Sequence, residues 1–477
     1  MRTAVATFAP WWVSSVVSCA LGCAAGAALS GCTASAEDVR PPQDQLFFPT
    51  GMAITPDEKY VFVVNANSEL RYDSGALHVI DVATVRQKIA DWHGGTDGAG
   101  DCTPDPDHIE TLVCDEAPFF KKDSGVRVGN FATDLALQDF SSDATTSNQV
   151  RLFSPTRGDP SIAWADFNGD KLTCTGSLSD VYPLCDDAHR LTSLNNDPNQ
   201  TGLAAEPFGV FADKNGGFAM VTHLVISTVT LIRAPADSSQ VAIVDMQSGL
   251  FGTNLSTGVS DATGIAGLYR PPAAGHAADP DTVYVGSDTE NRVWTFSIGQ
   301  RDAAAAYLLP GNFFFLNAVG GGSGGSSATH GMKFSPDGNQ LFVVNRLPPS
   351  LQIYDTSLGP TGVPHNTPTG SSDLCPSASN VTVLDLGPSN GTRAYVTCFA
   401  DGQIYVVDPT GQSQVEDIIT VGRGPYSVVA ASGVTEPGKP LLFVTNFLED
   451  TIAVIDVAPN SPSRNRVVLR LGVPRPQ

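Results

Sequence analysis

One repeated phrase constrains this chain more than anything else in it. The clearest copy is His330–Ser357, HGMKFSPDGNQLFVVNRLPPSLQIYDTS. Met332 and Phe334, Leu341 and Val343, and Leu351 and Ile353 each sit two apart, the period of a half-buried strand. Pro336-Asp337-Gly338 supplies a turn between the first two runs, and Arg346–Pro349 joins the second to the third. Three short strands bury little by themselves and leave open edges, so such a unit is stable only among copies of itself.

The copies run along the whole chain. The first lies in Gly51–Thr84 as GMAITPD, YVFVVN and ALHVIDVAT. The second is degenerate, with ATDLALQ from Ala132, VRLFS from Val150 and SIAWADF from Ser161. The third reads PFGVFADKNGG from Pro207, FAMVTH to His223 and QVAIVD to Asp245. The fourth reads TGIAGLY from Thr263, TVYVGS to Ser287 and RVWTFSI. After the fifth, at His330, come SNVTVLDLG, RAYVTC and QIYVVD, then PYSVVAAS, LLFVTN and TIAVID. A fourth strand follows most clearly as VEDIITVG from Val415 and RVVLRLG from Arg466, whereas units three and five show none. Seven such units predict an all-β chain, a seven-bladed β-propeller of mostly four-stranded antiparallel blades.

The motifs F-V-V-N, F-V-T-N and V-I-D, with S-P-D-G and V-G-R-G-P, resemble the YVTN-type β-propeller repeat family over residues 45–472. That resemblance implies the fold. It implies no single activity, because propellers of this kind host many. The departures are unit two and the insertions at 85–123 and 177–206.

The N-terminus reads as an export signal. Arg2 is followed by the apolar Val13–Val17 and by alanines up to Ala28, and the stretch ends in Leu29-Ser30-Gly31-Cys32. These four residues resemble the lipobox of bacterial lipoprotein signals, which implies cleavage before Cys32 and a lipid on its thiol. An ordinary signal peptide with a chance Cys is the alternative. The expected organisation is a signal at 1–31, a flexible tether at 32–44 and the propeller at 45–477. The expected location is the bacterial cell envelope, lipid-anchored at the outer membrane. Removing 31 of the 477 residues leaves 446, and losing Arg2 takes the net charge from −22 to −23. Such acidity disfavours nucleic acid and anionic lipid, so the membrane is reached through the anchor alone.

Six cysteines follow Cys32, an even number that favours disulfides in an exported chain. Sequence proximity pairs Cys102 with Cys114, Cys174 with Cys185 and Cys375 with Cys398. No Cys or His spacing resembles a zinc site.

Strand order places the start of each first strand and the end of each second strand on one face. His330 and Arg423 are the leading ligand-binding candidates there, with Asn65, His223, Asn345, Tyr426 and Asn446 around them. Asn and Thr at such positions can also satisfy loop backbone groups. Only His223 and His330 fall in slots suited to a transition metal, and two ligands are too few. Asp166, Asn168 and Asp170 resemble the start of a calcium loop, so calcium is the one cofactor left open, although Asn168-Gly169 is also a preferred hairpin turn. The Asp at each third-strand end (Asp81, Asp245, Asp355, Asp408, Asp456) is expected to cap the following turn. No catalytic residues stand out.

These features predict a binding or scaffold module that takes an envelope protein or a polar or anionic small ligand. The alternative is a propeller enzyme, a lactonase-like hydrolase or a metal-dependent oxidoreductase using the same face. If Cys32 carries the anchor, Cys32→Ser will leave the protein soluble or uncleaved and without fatty-acid label, as fractionation and labelling with a fatty-acid analogue will show; unchanged labelling overturns the lipobox reading.

Overall fold

The computed structural model describes residues 39–474 apart from 96–101, 144–145, 176–179, 193–201, 214–216, 253–259, 269–281, 301–304, 317–327, 411–413 and 435. The signal segment, Cys32 and a Gly/Ser linker expected at Gly320–Gly325 lie outside the described residues.

Seven antiparallel sheets stand around one axis, each with its first strand innermost. The second strands explain the repeated phrase. In Tyr60–Asn65, Val61 and Val63 pack toward blade seven, while Phe62 and Val64 pack toward blade two. A strand buried on both faces reads as a continuous apolar run, which is why YVFVVN, QLFVVNR and LLFVTN alternate so little. Each of the seven seams between blades holds its own apolar cluster.

Blade three departs from the expected strand order. Its third strand is Thr228–Ala234, and the run ending near Asp245 is the fourth, Ala242–Gln247. Asp245 therefore ends no third strand; it accepts the Leu308 N–H of the next blade. Blade five also has a fourth strand, Thr367–Asp373, whose polar and largely exposed TPTGSSD carries no apolar alternation. The other four aspartates cap as expected: Asp81 accepts Thr84 N–H, Asp355 Ser357 N–H, Asp408 Thr410 N–H and Asp456 Ala458 N–H.

The insertion after blade one is partly helical. Helix α1 (Val82–His93) starts at the Asp81 cap and buries Val82, Val85 and Arg86. Its continuation does not stay with blade one. Leu112–Cys114 pairs in parallel with Arg466–Leu471, the outer strand of blade seven, and Cys102–Pro104 pairs outside it. The Cys102–Cys114 disulfide closes this hairpin. Cys174–Cys185 and Cys375–Cys398 are also formed, so all three expected pairs are present.

A second contact shuts the same junction. Glu58, in the first turn of blade one, is buried. Its carboxylate accepts from the N–H groups of Ser432, Gly433 and Val434 and from the Ser432 hydroxyl, all in blade seven. Hydrogen bonds to a charged group are each worth about 1.5–3 kcal/mol, and they do not add in full. Glu58→Ala is therefore expected to cost about 3 kcal/mol, and Cys102→Ser with Cys114→Ser about 2–3 kcal/mol. Urea unfolding of the exported protein checks both; a change under about 0.5 kcal/mol for either refutes its role in closing the ring.

Candidate ligand-binding channel

The inner strands surround a lumen of about 800 Å³. Pairing between first and second strands shifts register in a shared place: between Pro49 and Met52, Pro207 and Val210, Thr329 and Met332, Ala378 and Val381, and Pro425 and Val428. The irregular residues turn away from their own sheet and toward the next blade.

Those residues knit the ring. Thr50 Oγ1 donates to Ala132 O at 3.0 Å, Thr133 Oγ1 to Phe208 O at 2.6 Å and Thr263 Oγ1 to Thr329 O at 2.6 Å. Second-strand threonines close three more seams: Thr222 Oγ1 to Thr263 O at 2.9 Å, Thr397 Oγ1 to Tyr426 O at 3.3 Å and Thr445 Oγ1 to Thr50 O at 3.0 Å. At the seam of blades five and six the donor is His330 Nδ1, 2.9 Å from Ser379 O. The backbones are close enough that a Cβ on Gly51 would lie 2.4 Å from the Asp134 carbonyl carbon, and one on Gly331 2.7 Å from Asn380 Cα.

The lumen wall is thus built in rings, one residue per blade. The outer ring is Thr50, Thr133, Phe208, Thr263, His330, Ser379 and Tyr426. The ring that pairs with the middle of each second strand is Ala53, Ala136, Phe211, Ala266, Lys333, Thr382 and Val429.

The candidates read from sequence fall into two groups. His330 and Tyr426 line the lumen. Burial holds the His330 imidazole down to about 3, with the Arg346 charge acting in the same direction. Burial and the Asp134 carboxylate hold the Tyr426 phenol above its usual range. The others are engaged in loops. Asn65 Oδ1 accepts Phe47 N–H and Asn345 Oδ1 accepts Ala328 N–H. Asn446 Nδ2 donates to Val421 O and to Thr451 Oγ1. His223 is fully buried between Ala205 O and Thr230 Oγ1. Arg423 is half-exposed, 3.5 Å from Glu449.

The loop expected as a turn or a calcium site forms the turn. Gly169 has φ +90, and Asn168 Oδ1 accepts the N–H groups of Asp170 and Lys171. The Asp166 carboxylate takes two donors from the buried Arg151 and one from Asn148, and Asp170 pairs with Lys121. Among the described residues, His, Cys, Asp and Glu nowhere gather in a group of three or more that could hold a metal ion.

Of four charged groups around the lumen and its mouth, Asp134 was legible in the sequence only as the acidic neighbour of Thr133, and Lys333, Arg346 and Asp288 were not singled out. Asp134 accepts Leu135 N–H at 2.8 Å and Val210 N–H at 3.1 Å, and burial raises its carboxyl. Lys333 projects into the lumen; the surrounding protein lowers its ammonium, and the nearby Asp134 carboxylate opposes that shift. Arg346 donates to Ala378 O at 2.7 Å and to Ser379 Oγ at 3.1 Å. Asp288 is pushed up to about 6 by burial and by Asp261, against the pull of Arg346. At the positions of Asp134 and Lys333 the other blades carry uncharged residues, a signal visible only once the strand register is known.

These sheets and their shared lumen define a seven-bladed β-propeller. The fold is similar to a putative 6-phosphogluconolactonase of Bacteroides fragilis, at 11% identity and TM-score 0.52 over 88% of this chain and 100% of that one. It is also similar to the hydrazine synthase of Kuenenia stuttgartiensis, at 11% identity and TM-score 0.50 over 88% of this chain and 98% of that one. The periplasmic gluconolactonase of Pseudomonas aeruginosa aligns at 14% identity and TM-score 0.47 over 80% of this chain and 87% of that one. At these identities the likeness concerns the fold. No protein-family model matches the chain. No curated protein matches it either.

Two predictions follow from the buried imidazoles. Burial lowers His78 to about 3 and His223 to about 4, from an ordinary 6.5. A depressed histidine stabilises the fold fully above its unfolded value, and that stability is lost as pH falls through 6.5 toward the folded value. Unfolding free energy should therefore fall between pH 6.5 and about 4, by up to roughly 1.4 kcal/mol per pH unit for each histidine. Urea titrations at several pH values will show it, and an unchanged slope in His78→Gln with His223→Gln refutes the assignment. At the seam, His330→Ala should cost about 1 kcal/mol, and His330→Thr should recover part of it, because threonine fills the same slot in blades one, two and four.

Proposed function

We propose that this protein is an exported, lipid-anchored binding module that takes a small polar or anionic ligand into the mouth of its central channel. The observation that carries the reading is where the sevenfold repeat breaks. The inner rings need only small residues, and most blades supply Thr, Gly or Ala there. The charged, imidazole or aromatic exceptions are Asp134, Phe208, Phe211, His330, Lys333 and Tyr426, and all of them line one lumen. Packing alone does not call for a lysine or a histidine at such positions, whereas recognition of a polar molecule between aromatic walls does.

Three disulfides support an oxidising compartment, in keeping with the signal sequence. Arg346 at the mouth, with Arg423 further out, gives a mostly acidic molecule local positive charge where a ligand would enter. An envelope protein bound through the loops of the same face remains the scaffold form of this reading.

The test is a thermal-shift and calorimetry screen of the exported protein against small carboxylates, phosphates and sugar acids. A ligand of the lumen should raise the melting temperature of the wild type. Its affinity should fall at least about tenfold in Arg346→Ala and in Tyr426→Phe with Phe208→Ala, about 1.4 kcal/mol of binding. Equal affinity in both variants refutes the channel as the site.

A further inference from the structure

Lys333 stands where the fold asks for something else. Its Cα pairs with Phe342 in the second strand of blade five. The residues at the same register in the other blades are Ala53, Ala136, Phe211, Ala266, Thr382 and Val429, none of them charged. Its side chain is exposed to the lumen yet walled by seven strands. Among the described residues, no hydrogen bond or ion pair engages its nitrogen, and it is the only lysine or arginine that lines the cavity. Asp134 is the carboxylate whose charge it feels, and both oxygens of Asp134 already accept backbone N–H groups.

We propose that Lys333 is a nucleophilic amine that captures a small aldehyde or ketone in the channel as an imine. This rests on the reading of the lumen as the ligand site and names the chemistry of what enters it. A lysine enclosed by protein, without a counterion in contact, spends more time as the free amine, which is the reactive form. The surrounding channel wall lowers the ammonium of Lys333 in that direction, against the opposing pull of the Asp134 carboxylate. The nitrogen lone pair attacks the carbonyl carbon, a C–N bond forms, and an amine proton passes to the oxygen to give a carbinolamine. Protonation of that hydroxyl releases it as water, and loss of the remaining N–H proton leaves the C=N bond. Amine and carbonyl give imine and water; nothing is oxidised or reduced. Asp134, whose carboxyl is raised by burial, is the nearby group able to give and take the proton. Glu58, His330, Asp385 and Tyr426 are the other titratable groups lining the lumen.

The test uses the exported protein, propanal and sodium cyanoborohydride, which reduces an imine to a stable secondary amine. The chain has eight lysines, so peptide mapping reads each one. Lys333 should be alkylated roughly tenfold faster at pH 7 than Lys59 or Lys439, which are largely exposed, and its rate should reach half-maximum at a lower pH. Lys333→Arg should abolish that fast phase, leave the other lysines unchanged and keep the melting temperature within about 2 °C. Labelling of Lys333 at or below the rate of the exposed lysines overturns the proposal. If that occurs while a polar ligand still binds and is lost on Tyr426→Phe with Phe208→Ala, covalent capture falls and the binding reading stands. If neither occurs, both fall.

Discussion

Each blade of this propeller is tied to the next by one side chain that donates to a carbonyl of the neighbouring inner strand. Six of the seven donors are threonine hydroxyls, and the seventh is His330. One such bond is worth about 1 kcal/mol, small beside the apolar cluster in each seam. Its importance is geometric. An inner-strand carbonyl turned out of its own ladder by the register shift is buried away from water and must find a donor. The bond therefore fixes how close the inner strands stand. Where they meet, Gly51, Gly264 and Gly331 sit so near the adjacent backbone that a Cβ would be 2.4–2.7 Å from it. The lumen is the space left over.

That arrangement separates what the fold demands from what it leaves free. A threonine in the outer ring serves the seam and takes little room. Phe208 and Tyr426 occupy the same ring position, and the onward seams of their blades are held instead by the second-strand Thr222 and Thr445, which donate to Thr263 O and Thr50 O. The side chains of Phe208 and Tyr426 are thereby released into the lumen, at no cost to closure. Lys333 is released in another way: its strand pairing is regular and its core contacts fall to Met332 and Phe334 on either side. Ring closure at blades seven and one, where the chain ends meet, needs more. There Glu58 gathers four donors and the disulfide-closed hairpin adds two strands to blade seven.

How much of this is legible in the sequence follows from burial. Second strands, buried on both faces, write their identity as FVVN and FVTN, and all seven were readable. Proximity gave the three disulfides, since each spans a short segment, helped for Cys375–Cys398 by their common face of the blade. Outer strands have one neighbour and face water, so TPTGSSD has no pattern to find. Blade three misled for a different reason. Thr228–Ala234 interleaves threonines with Val229 and Leu231, both faces being buried, and the polar residues hid the strand while QVAIVD imitated it. Helix α1 did carry a helical spacing in Val82, Val85, Ile89 and Trp92, inside a segment expected to be irregular. The channel charges were unreadable for want of register. Nothing near Lys333 in sequence tells that it faces Asp134 from blade two.

His330 joins the two levels. Its Nδ1 meets a carbonyl oxygen, which fixes the proton on Nδ1 and leaves Nε2 as an acceptor. Burial and the Arg346 charge keep the ring neutral down to about 3, so it offers that acceptor throughout the physiological range. Phe208 lies edge-on to it, with ring centroids 5.4 Å apart. A molecule in the lumen thus meets a neutral acceptor at His330, a phenol kept protonated at Tyr426 and an amine at Lys333. That set suits a compound with both donor and acceptor groups better than a bare anion, which finds at His330 a lone pair and no proton. It also ties occupancy to architecture: a group strong enough to pull the proton to Nε2 would break the bond to Ser379 and loosen the seam between blades five and six.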